Sequence, residues 1–219
     1  MMRELSWIGL LVISAYLLGS IPTGYWAGRL VKGIDIREIG SGSTGATNVL
    51  RNLGKGPALV VLLIDAAKGV GAVALVHGFF ALTGSSVMPD TWKPWLVAVV
   101  ALAAMLGHSK SIWINFTGGK SAATGLGVLF AMSWFVALSV LIIFIGVVSF
   151  SRIVSLGSMA AAIAVAVLMI VLAQPLPYQI FGIVAGLYVI LRHRANIQRL
   201  LVGTEPRLGQ SASTEMISS

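Results

Sequence analysis

Cysteine is absent from this chain of 219 residues, acidic residues number only 7, and histidine occurs 3 times. Without cysteine the chain cannot form a disulfide framework, a thiolate nucleophile or a cysteine-bound metal site. Charged residues make up 10% of the sequence, whereas hydrophobic residues make up 57% and the mean hydropathy is +0.94. So few charges cannot cover the surface of a soluble domain. These scarcities exclude a soluble globular protein and indicate an integral membrane protein.

Basic residues exceed acidic ones, which gives a formal net charge of +8 at pH 7. In a soluble chain this excess would suggest nucleic acid, but in a membrane protein it is typical of cytoplasmic loops beside anionic lipid. We therefore expect membrane lipid, and no nucleic acid, among the partners. The apolar stretch from Leu5 to Ile21 has no n-region of any length before it. It is interpreted as a first transmembrane span and not as a cleavable signal.

The apolar runs predict the transmembrane helices. They cover residues 5–30, with a kink at Pro22, and then 57–82, 94–106, 121–150, 153–172 and 176–191. The run 121–150 would make a single helix about 45 Å long, which exceeds a bilayer core of about 30 Å. Two short spans that turn near Ser133 and Trp134 fit better. The sequence therefore predicts an all-α integral membrane protein with seven transmembrane helices, two of them short.

The distribution of basic residues supports this hairpin and orients the chain. With seven crossings and the N-terminus outside, only Arg3 and Lys93 fall on the outer side, and Lys68 lies within the second span. A single span would instead separate Arg152 from the basic C-terminal cluster. We expect the C-terminus in the cytoplasm, one polytopic domain over residues 1–209 and a disordered polar tail at 210–219. The inner loops then hold Arg29, Lys32, Arg37, Arg51, Lys55, Lys110, Lys120, Arg152, Arg192, Arg194, Arg199 and Arg207.

The first polar segment, residues 39–54, reads IGSGSTGATNVLRNLG. Glycines near its start allow tight turns and a close approach of the backbone to an anion. A short helix predicted over 46–53 would direct its positive dipole end at that anion, and Arg51 could bind it as well. The spacing also matches a dinucleotide-binding loop, but an apolar helix follows where that fold needs alternating strands and helices. The segment is therefore a candidate phosphate-binding loop, with a plain surface loop as the alternative.

The second polar segment, residues 107–127, reads GHSKSIWINFTGGKSAATGLG. Its Gly-Gly-Lys sequence opens a short predicted helix, which would bring amide dipoles, hydroxyl groups and a cation together. The segment lacks the earlier glycine and the preceding strand of a Walker A loop. Lys120 could bind a ligand or extend to lipid headgroups, and the flanking glycines favour the ligand. His108 could bind the same ligand or satisfy a carbonyl group at the end of the third span.

Two further polar segments lie on the same predicted side of the membrane. They are SRIVSLGS at 151–158 and RHRANIQRLLVGTE at 192–205. A basic interfacial helix would explain the arginines of the last segment, but not His193 and Asn196, which lie three residues apart on one helical face. Within the second span, Asp65 and Lys68 are either functional or a mutually neutralised pair. The half-helices and loops of the four segments are expected to form one site at the cytoplasmic face.

These four segments, in this order, resemble the motifs of the bacterial acyl-phosphate:glycerol-3-phosphate acyltransferase family (PlsY type) over residues 19–205. The resemblance implies a seven-span enzyme of the bacterial inner membrane. It implies transfer of a fatty acyl group from acyl phosphate to the 1-hydroxyl of glycerol 3-phosphate, which gives lysophosphatidic acid and phosphate. It also implies that Arg51, Lys120 and His193 are catalytic and hold phosphate. The candidate substrate-binding residues are Ser41, Gly42, Ser43, Gly45, Thr47, Asn48, His108, Gly118, Gly119, Ser121, Thr124, Ser155, Ser158 and Asn196.

The mechanism expected from these residues relies on positioning and charge. The HxxxxD motif of other glycerolipid acyltransferases is missing, because the fifth residues after the three histidines are Leu82, Trp113 and Gln198. An acyl phosphate is already activated, so a phosphate oxygen of either substrate can take the hydroxyl proton, with His193 as the alternative base. No metal ion or cofactor is expected.

Two other functions use the same features. A transporter of phosphate or of a phosphorylated metabolite would also need broken helices and buried cations. It would require polar residues through to the far side, but the outer loops at 83–94 and 174–178 contain few of them. A scaffold for lipid-synthesis enzymes would show no turnover. The enzyme is favoured, and a peripheral enzyme that forms acyl phosphate is a candidate partner.

Overall fold

A computed structural model describes residues 2–209 of the chain, and within this range it is helical throughout with no β-strand. Short 3₁₀ turns and loops join the helices. The α-helices are α1 (Met2–Ser20), α2 (Thr23–Lys32), α3 (Ala46–Leu53), α4 (Lys55–Thr83), α5 (Lys93–Ser109), α6 (Ala122–Met132), α7 (Trp134–Ser151), α8 (Val154–Val171), α9 (Leu176–Arg192) and α10 (Arg194–Leu201). The predicted all-α fold is confirmed.

Two predicted interruptions lie where the sequence places them. The first apolar run breaks at Ile21 and Pro22, between α1 and α2, because proline cannot donate the backbone hydrogen bond that a continuous helix needs there. The run 121–150 divides at Ser133, where an extended residue separates α6 from α7. The short helix of the first polar segment, α3, also has the predicted bounds.

The number of membrane crossings depends on which helices are counted as spans. Four helical stretches are long and apolar enough to cross a membrane, namely Met2–Lys32, Lys55–Ser86, Trp134–Ser151 and Val154–Val171. The pair α9 and α10, which is bent by 58° at His193, makes a fifth if it is counted as one span. With 17 residues, α5 is slightly shorter, and α6 has only 11. The count of seven crossings therefore stays a prediction.

Small residues let the central helices approach closely. A Cβ atom on Gly19 of α1 would overlap the backbone of Ala104 in α5, and one on Gly107 of α5 would overlap the backbone of α1. The contact between α4 and α6 is built in the same way at Gly69 and Gly127. Backbone-to-backbone packing of this kind is typical of helices in lipid, where apolar burial gives little drive for association.

The polar segments meet at one end of the helices. Arg37, just before the first segment, donates to the side chain of Thr117 in the second segment at 2.8 Å. The backbone N–H of Leu208 donates to the carbonyl of Arg152 at 2.7 Å, so the chain after α10 returns to the start of α8. The expected disordered tail, 210–219, lies outside the described residues, and the domain boundary at 209 stays a prediction.

Candidate active site

A cavity of about 260 Å³ lies where the polar segments converge. One end is polar and is formed by the start of α3, the loop before α6, the start of α8 and the junction of α9 with α10. The other end is apolar. It continues between the helices along Met105, Leu126, Leu129, Val140, Leu141, Phe144, Ala161, Ala162, Val165, Phe181, Ala185, Gly186 and Val189. Such a cavity can hold a molecule with a charged head and a long hydrocarbon tail.

Most of the predicted site residues line this cavity. Four of them do not: Gly42 is exposed, Thr124 is buried, and Gly118 and Gly119 pack against residues 108 and 109. The predicted residues that line it are Ser41, Ser43, Gly45, Thr47, Asn48, Arg51, His108, Lys120, Ser121, Ser155, Ser158, His193 and Asn196. The structure therefore brings together residues that are up to 155 positions apart in the chain, as in the contact of Arg51 with Pro206.

Asn48 supports the first loop from below. Its Nδ2 group donates to the carbonyls of Ile36, Ile39 and Ser43 at 2.9, 3.1 and 2.9 Å. Its Oδ1 atom accepts the backbone N–H of Ser41 at 3.0 Å. A side chain that is buried and bonded at both ends has little capacity left for a substrate. Asn48 therefore shapes the loop, although we expected it to bind substrate.

Two cations, Arg51 and Lys120, face the polar end of the cavity and are half-buried. Arg51 donates to the carbonyl of Pro206 at 3.2 Å, which leaves other N–H groups of its guanidinium for a ligand. Burial, together with nearby arginines, lowers the pKa of Lys120 to about 8, against the opposing charge of Glu205. Lys120 is therefore a cation at neutral pH that lies in the cavity, and the alternative in which it extends to lipid headgroups does not fit.

A buried carboxylate, Glu205, organises the residues behind Lys120. The Nζ atom of Lys120 donates to Asn196 Oδ1 at 2.5 Å, and Asn196 Nδ2 donates to Glu205 Oε1 at 2.6 Å. Ser155 donates to the same Oε1 atom at 2.6 Å, and Arg199 donates to Oε2 at 2.7 Å. Burial raises the pKa of Glu205, but these hydrogen bonds outweigh it and lower the pKa overall. Glu205 thus stays ionised and holds Asn196 and Ser155 in place.

His193, at the junction of α9 and α10, is a neutral hydrogen-bond acceptor toward the cavity. Its Nδ1 atom lies 2.7 Å from the carbonyl oxygen of Val189, which can only accept, so Nδ1 carries a proton. Burial, with the charges of Lys120 and Arg192, lowers its pKa to about 4, despite the opposing effects of the Val189 hydrogen bond and Glu205. At neutral pH the Nε2 atom therefore presents a lone pair.

Three residues near the site were not among the predicted ones. Glu205 and Arg192 belong to the fourth polar segment, and Arg192 donates to the carbonyl of Gly119 at 3.2 Å. Asp65 lies in the middle of α4 and lines the cavity. The available signal was the position of Glu205 and Arg192 at the two ends of that segment. Glu205 contacts Ser155, 50 positions away, and Arg192 contacts Gly119, 73 positions away, and local spacing does not reveal such contacts.

Comparison with known proteins gives a consistent result. A family model described as glycerol-3-phosphate acyltransferase matches residues 9–203. A glycerol-3-phosphate acyltransferase of Trichormus variabilis is 60% identical over 217 residues, which cover 96% of this chain and 96% of that protein. One from Nostoc sp. is 59% identical with the same coverage.

Two crystal structures of PlsY (YgiH), an integral membrane glycerol 3-phosphate acyltransferase, share the fold. The glycerol 3-phosphate form has a TM-score of 0.83 and 40% identity, over 92% of this chain and 96% of that chain. The lysophosphatidic acid form has a TM-score of 0.80 and 39% identity, over 92% and 95%. The resemblance of the polar segments is confirmed by these matches, as is a multi-pass membrane protein. This chain belongs to the glycerol-3-phosphate acyltransferase family.

Proposed function

We propose that this chain transfers a fatty acyl group from acyl phosphate to the 1-hydroxyl group of glycerol 3-phosphate within the cavity. The observation that carries the proposal is the shape of that cavity, whose cationic end continues directly into an apolar cleft. Both substrates carry phosphate and one carries a hydrocarbon chain. A site for them needs anion-binding groups next to a long apolar surface.

The acyl phosphate extends along the cleft. Its hydrocarbon chain lies between α6, α7, α8 and α9, where Leu129, Val140 and Phe181 are buried. This places its phosphate at the mouth of the cleft, beside the start of α3 and the charges of Arg51 and Lys120. The positive end of the α3 dipole and charge-assisted hydrogen bonds would stabilise the negative charge that develops on the departing phosphate.

Glycerol 3-phosphate enters from the polar end, and His193 accepts a hydrogen bond from its 2-hydroxyl group, which leaves the proton of the attacking 1-hydroxyl group free to pass to a phosphate oxygen. Because Nε2 of the neutral imidazole can only accept a hydrogen bond, it suits a substrate hydroxyl and not a phosphate oxygen. We therefore assign the phosphate groups to Arg51 and Lys120, and assign a hydroxyl-positioning role to His193. This changes the expectation from the resemblance, in which His193 also held phosphate.

The reaction needs no protein base. The hydroxyl oxygen attacks the acyl carbonyl carbon, the bond from that carbon to the phosphate oxygen breaks, and the hydroxyl proton ends on the phosphate. A phosphate group has a second pKa of about 6, whereas the pKa of His193 is about 4. The phosphate is therefore the stronger base. The chain contributes position and charge.

We also propose the orientation of the chain, in the inner membrane of a bacterium. The site and the C-terminus lie in or at the cytoplasm and the N-terminus lies outside, as the excess of basic residues around the polar segments favours. Acyl phosphate would then reach the site from the cytoplasmic side, and a peripheral enzyme that forms it is a candidate partner. A transporter is not favoured, because most polar groups of the cavity lie at one end and its continuation between α6, α7, α8 and α9 is apolar.

Charge removal at the site tests the proposal. Arg51→Ala and Lys120→Ala should each remove a charge-assisted contact of about 1.5 to 3 kcal/mol, so the rate of lysophosphatidic acid formation should fall by about one to two orders of magnitude. Lys55→Ala is the matched control, because Lys55 is exposed at the start of α4 and away from the cavity. Turnover in Lys120→Ala equal to that of Lys55→Ala would contradict the proposed role of Lys120.

A further inference from the structure

A cluster of polar side chains lies inside the helix bundle, next to the break in the first span. Asp65 and Lys68 of α4 are only 1% and 3% exposed. Lys68 Nζ donates to Asp65 Oδ1 at 2.6 Å and to the carbonyl of Ile21 at 2.5 Å. Thr23 at the start of α2 donates to the same Asp65 oxygen at 2.5 Å. The cluster therefore joins α4 to the interruption between α1 and α2.

The cluster reaches the active-site cavity through His108. The Nδ1 atom of His108 lies 3.6 Å from Asp65 Oδ1, and both residues line the cavity, whereas Lys68 lies behind them. The second carboxylate oxygen, Oδ2, is buried and has no hydrogen-bond partner within residues 2–209. A buried carboxylate oxygen without a hydrogen-bond partner costs free energy, so its presence here calls for an explanation. Lys68 contacts only Oδ1 of Asp65. Pairing with Lys68 therefore does not explain why Oδ2 is buried.

His108 supports the loop that carries Lys120. The backbone N–H of Gly119 donates to the His108 carbonyl at 3.1 Å. A Cβ atom on Gly118 would overlap that carbonyl, and one on Gly119 would overlap Nε2 of the His108 ring. Ser121, which follows Lys120, is held against α5 because its hydroxyl group donates to the carbonyl of Met105 at 2.6 Å. The Gly-Gly-Lys sequence is thus folded closely against the end of α5.

We propose that Asp65 is a positioning residue of the acyl-transfer site. It orients the His108 ring against Gly119, and the ring in turn fixes the backbone on which Lys120 reaches the phosphate. The inference rests on the function proposed above. It assigns a role to the pair of Asp65 and Lys68, which the sequence left open. Lys68 and Thr23 hold the carboxylate of Asp65 in place, and this carboxylate orients the ring of His108.

The competing account is that Asp65 only balances the charge of Lys68. The two accounts predict different kinetics for a variant in which neither residue carries a charge. In Asp65→Asn with Lys68→Met, both charges are removed together, so no unpaired buried charge remains to destabilise the fold. If charge balance were the whole role, this neutral pair would restore wild-type kinetics. If Asp65 positions His108, catalysis stays impaired although the fold is stable.

The experiment measures kcat/KM for lysophosphatidic acid formation and thermal unfolding, both with protein purified in detergent. It compares wild type, the neutral pair, His108→Gln and the combination of all three changes. The control is His77→Gln. His77 is exposed and lies on α4, the helix that carries Asp65. Wild-type turnover is measured first. An inactive wild-type protein would refute the proposed function itself, whereas the variants test the role of Asp65 only.

We expect the neutral pair and His108→Gln each to lower kcat/KM by about 10- to 100-fold, because a small misplacement of a catalytic group has such effects. Their unfolding temperatures should stay close to wild type. The kcat/KM of the combined variant should be no more than about 3-fold below that of the less active of these two variants, because the effects of residues that act through each other are not additive. His77→Gln should match wild type.

Two results would overturn the inference. One is a neutral pair with wild-type kcat/KM, and the other is a combined variant whose losses multiply, which would make Asp65 and His108 independent. If the neutral pair is not recovered folded, a second neutral pair, Asp65→Asn with Lys68→Gln, takes its place, because the glutamine amide can still donate to the Ile21 carbonyl that Lys68 contacts. A loss of 10-fold or more at an unchanged unfolding temperature supports the inference, and wild-type kinetics refutes it.

Discussion

At the scale of single residues, the site is defined by which groups are charged and which are neutral. Glu205 is kept ionised by three donors, and it holds Asn196 beside Lys120. His193 is kept neutral by burial and by neighbouring cations. In the proposed function, the cations bind phosphate and the lone pair of His193 accepts a substrate hydroxyl group. This division of roles makes separate predictions for His193 and for Lys120.

Substitutions of His193 should distinguish a hydroxyl acceptor from a general base. Loss of one hydrogen bond in His193→Ala should lower kcat/KM by about 10-fold. His193→Gln should retain more activity, because its amide oxygen can still accept a hydrogen bond although it cannot cycle a proton. A general base would instead contribute about 10² to 10⁴-fold. Losses of that size in both variants, measured as initial rates, would make His193 the base.

The pKa of Lys120 predicts the alkaline side of the pH profile. Its value of about 8 in the free protein means that the cation is present at pH 7 and is lost as the pH rises through 8. Because kcat/KM reports the free enzyme, it should fall above about pH 8. In Lys120→Arg the guanidinium stays charged, so this fall should disappear whatever the level of activity. An identical alkaline limb in Lys120→Arg would assign it to another group.

At the scale of helices, the different lengths of α6 and α7 set the depth of the site. With 18 residues, α7 is about 27 Å long, whereas α6 with 11 residues is about 16 Å long. The two helices meet at Ser133, so at similar tilts the start of α6, next to Lys120, reaches about 10 Å less far from Ser133 than the end of α7 does. A site recessed in this way agrees with the burial that lowers the pKa of Lys120.

This arrangement predicts the topology of the hairpin. Reporters fused after Lys120 and after Arg152 should both be cytoplasmic, and a reporter fused after Ser133 should be on the outside. The measurement is the activity of a reporter enzyme that works on only one side of the membrane. A reporter fused after Arg207 provides the cytoplasmic control. A cytoplasmic signal at Ser133 together with an outside signal at Arg152 would contradict the hairpin.

The sequence predicted the helices better than it predicted the contacts between them. Pro22 and the excessive length of the run 121–150 were local signals, and both helix breaks lie where these signals placed them. The role of Glu205 depends on Asn196 and Ser155, and that of Asp65 depends on His108. Pairs such as Ser155 with Glu205 are brought together only by packing. Spacing within one segment cannot reveal them.

At the scale of the whole molecule, the polar segments lie at one end of the helix bundle, and the buried cluster of Asp65, Lys68 and Thr23 lies within it. The four polar segments and the chain after α10 meet there and close the polar end of the cavity, while the rest of the cavity is apolar. Exposed apolar side chains such as Leu63, Ile142 and Val171 cover the outside of the helices, as lipid requires. A one-sided cavity with a hydrocarbon-lined interior fits an enzyme that takes its substrate and releases its product at the membrane.

The most direct test of this account is product formation by the purified chain alone. In detergent solution, without a sealed compartment, the protein is mixed with acyl phosphate and glycerol 3-phosphate, and lysophosphatidic acid and phosphate are measured by mass spectrometry and phosphate release. The account predicts that both products form in equal amounts, and that no lysophosphatidic acid forms when glycerol 3-phosphate is omitted. A folded protein that forms no lysophosphatidic acid under these conditions would contradict it, because a transporter or a scaffold has no turnover in this assay.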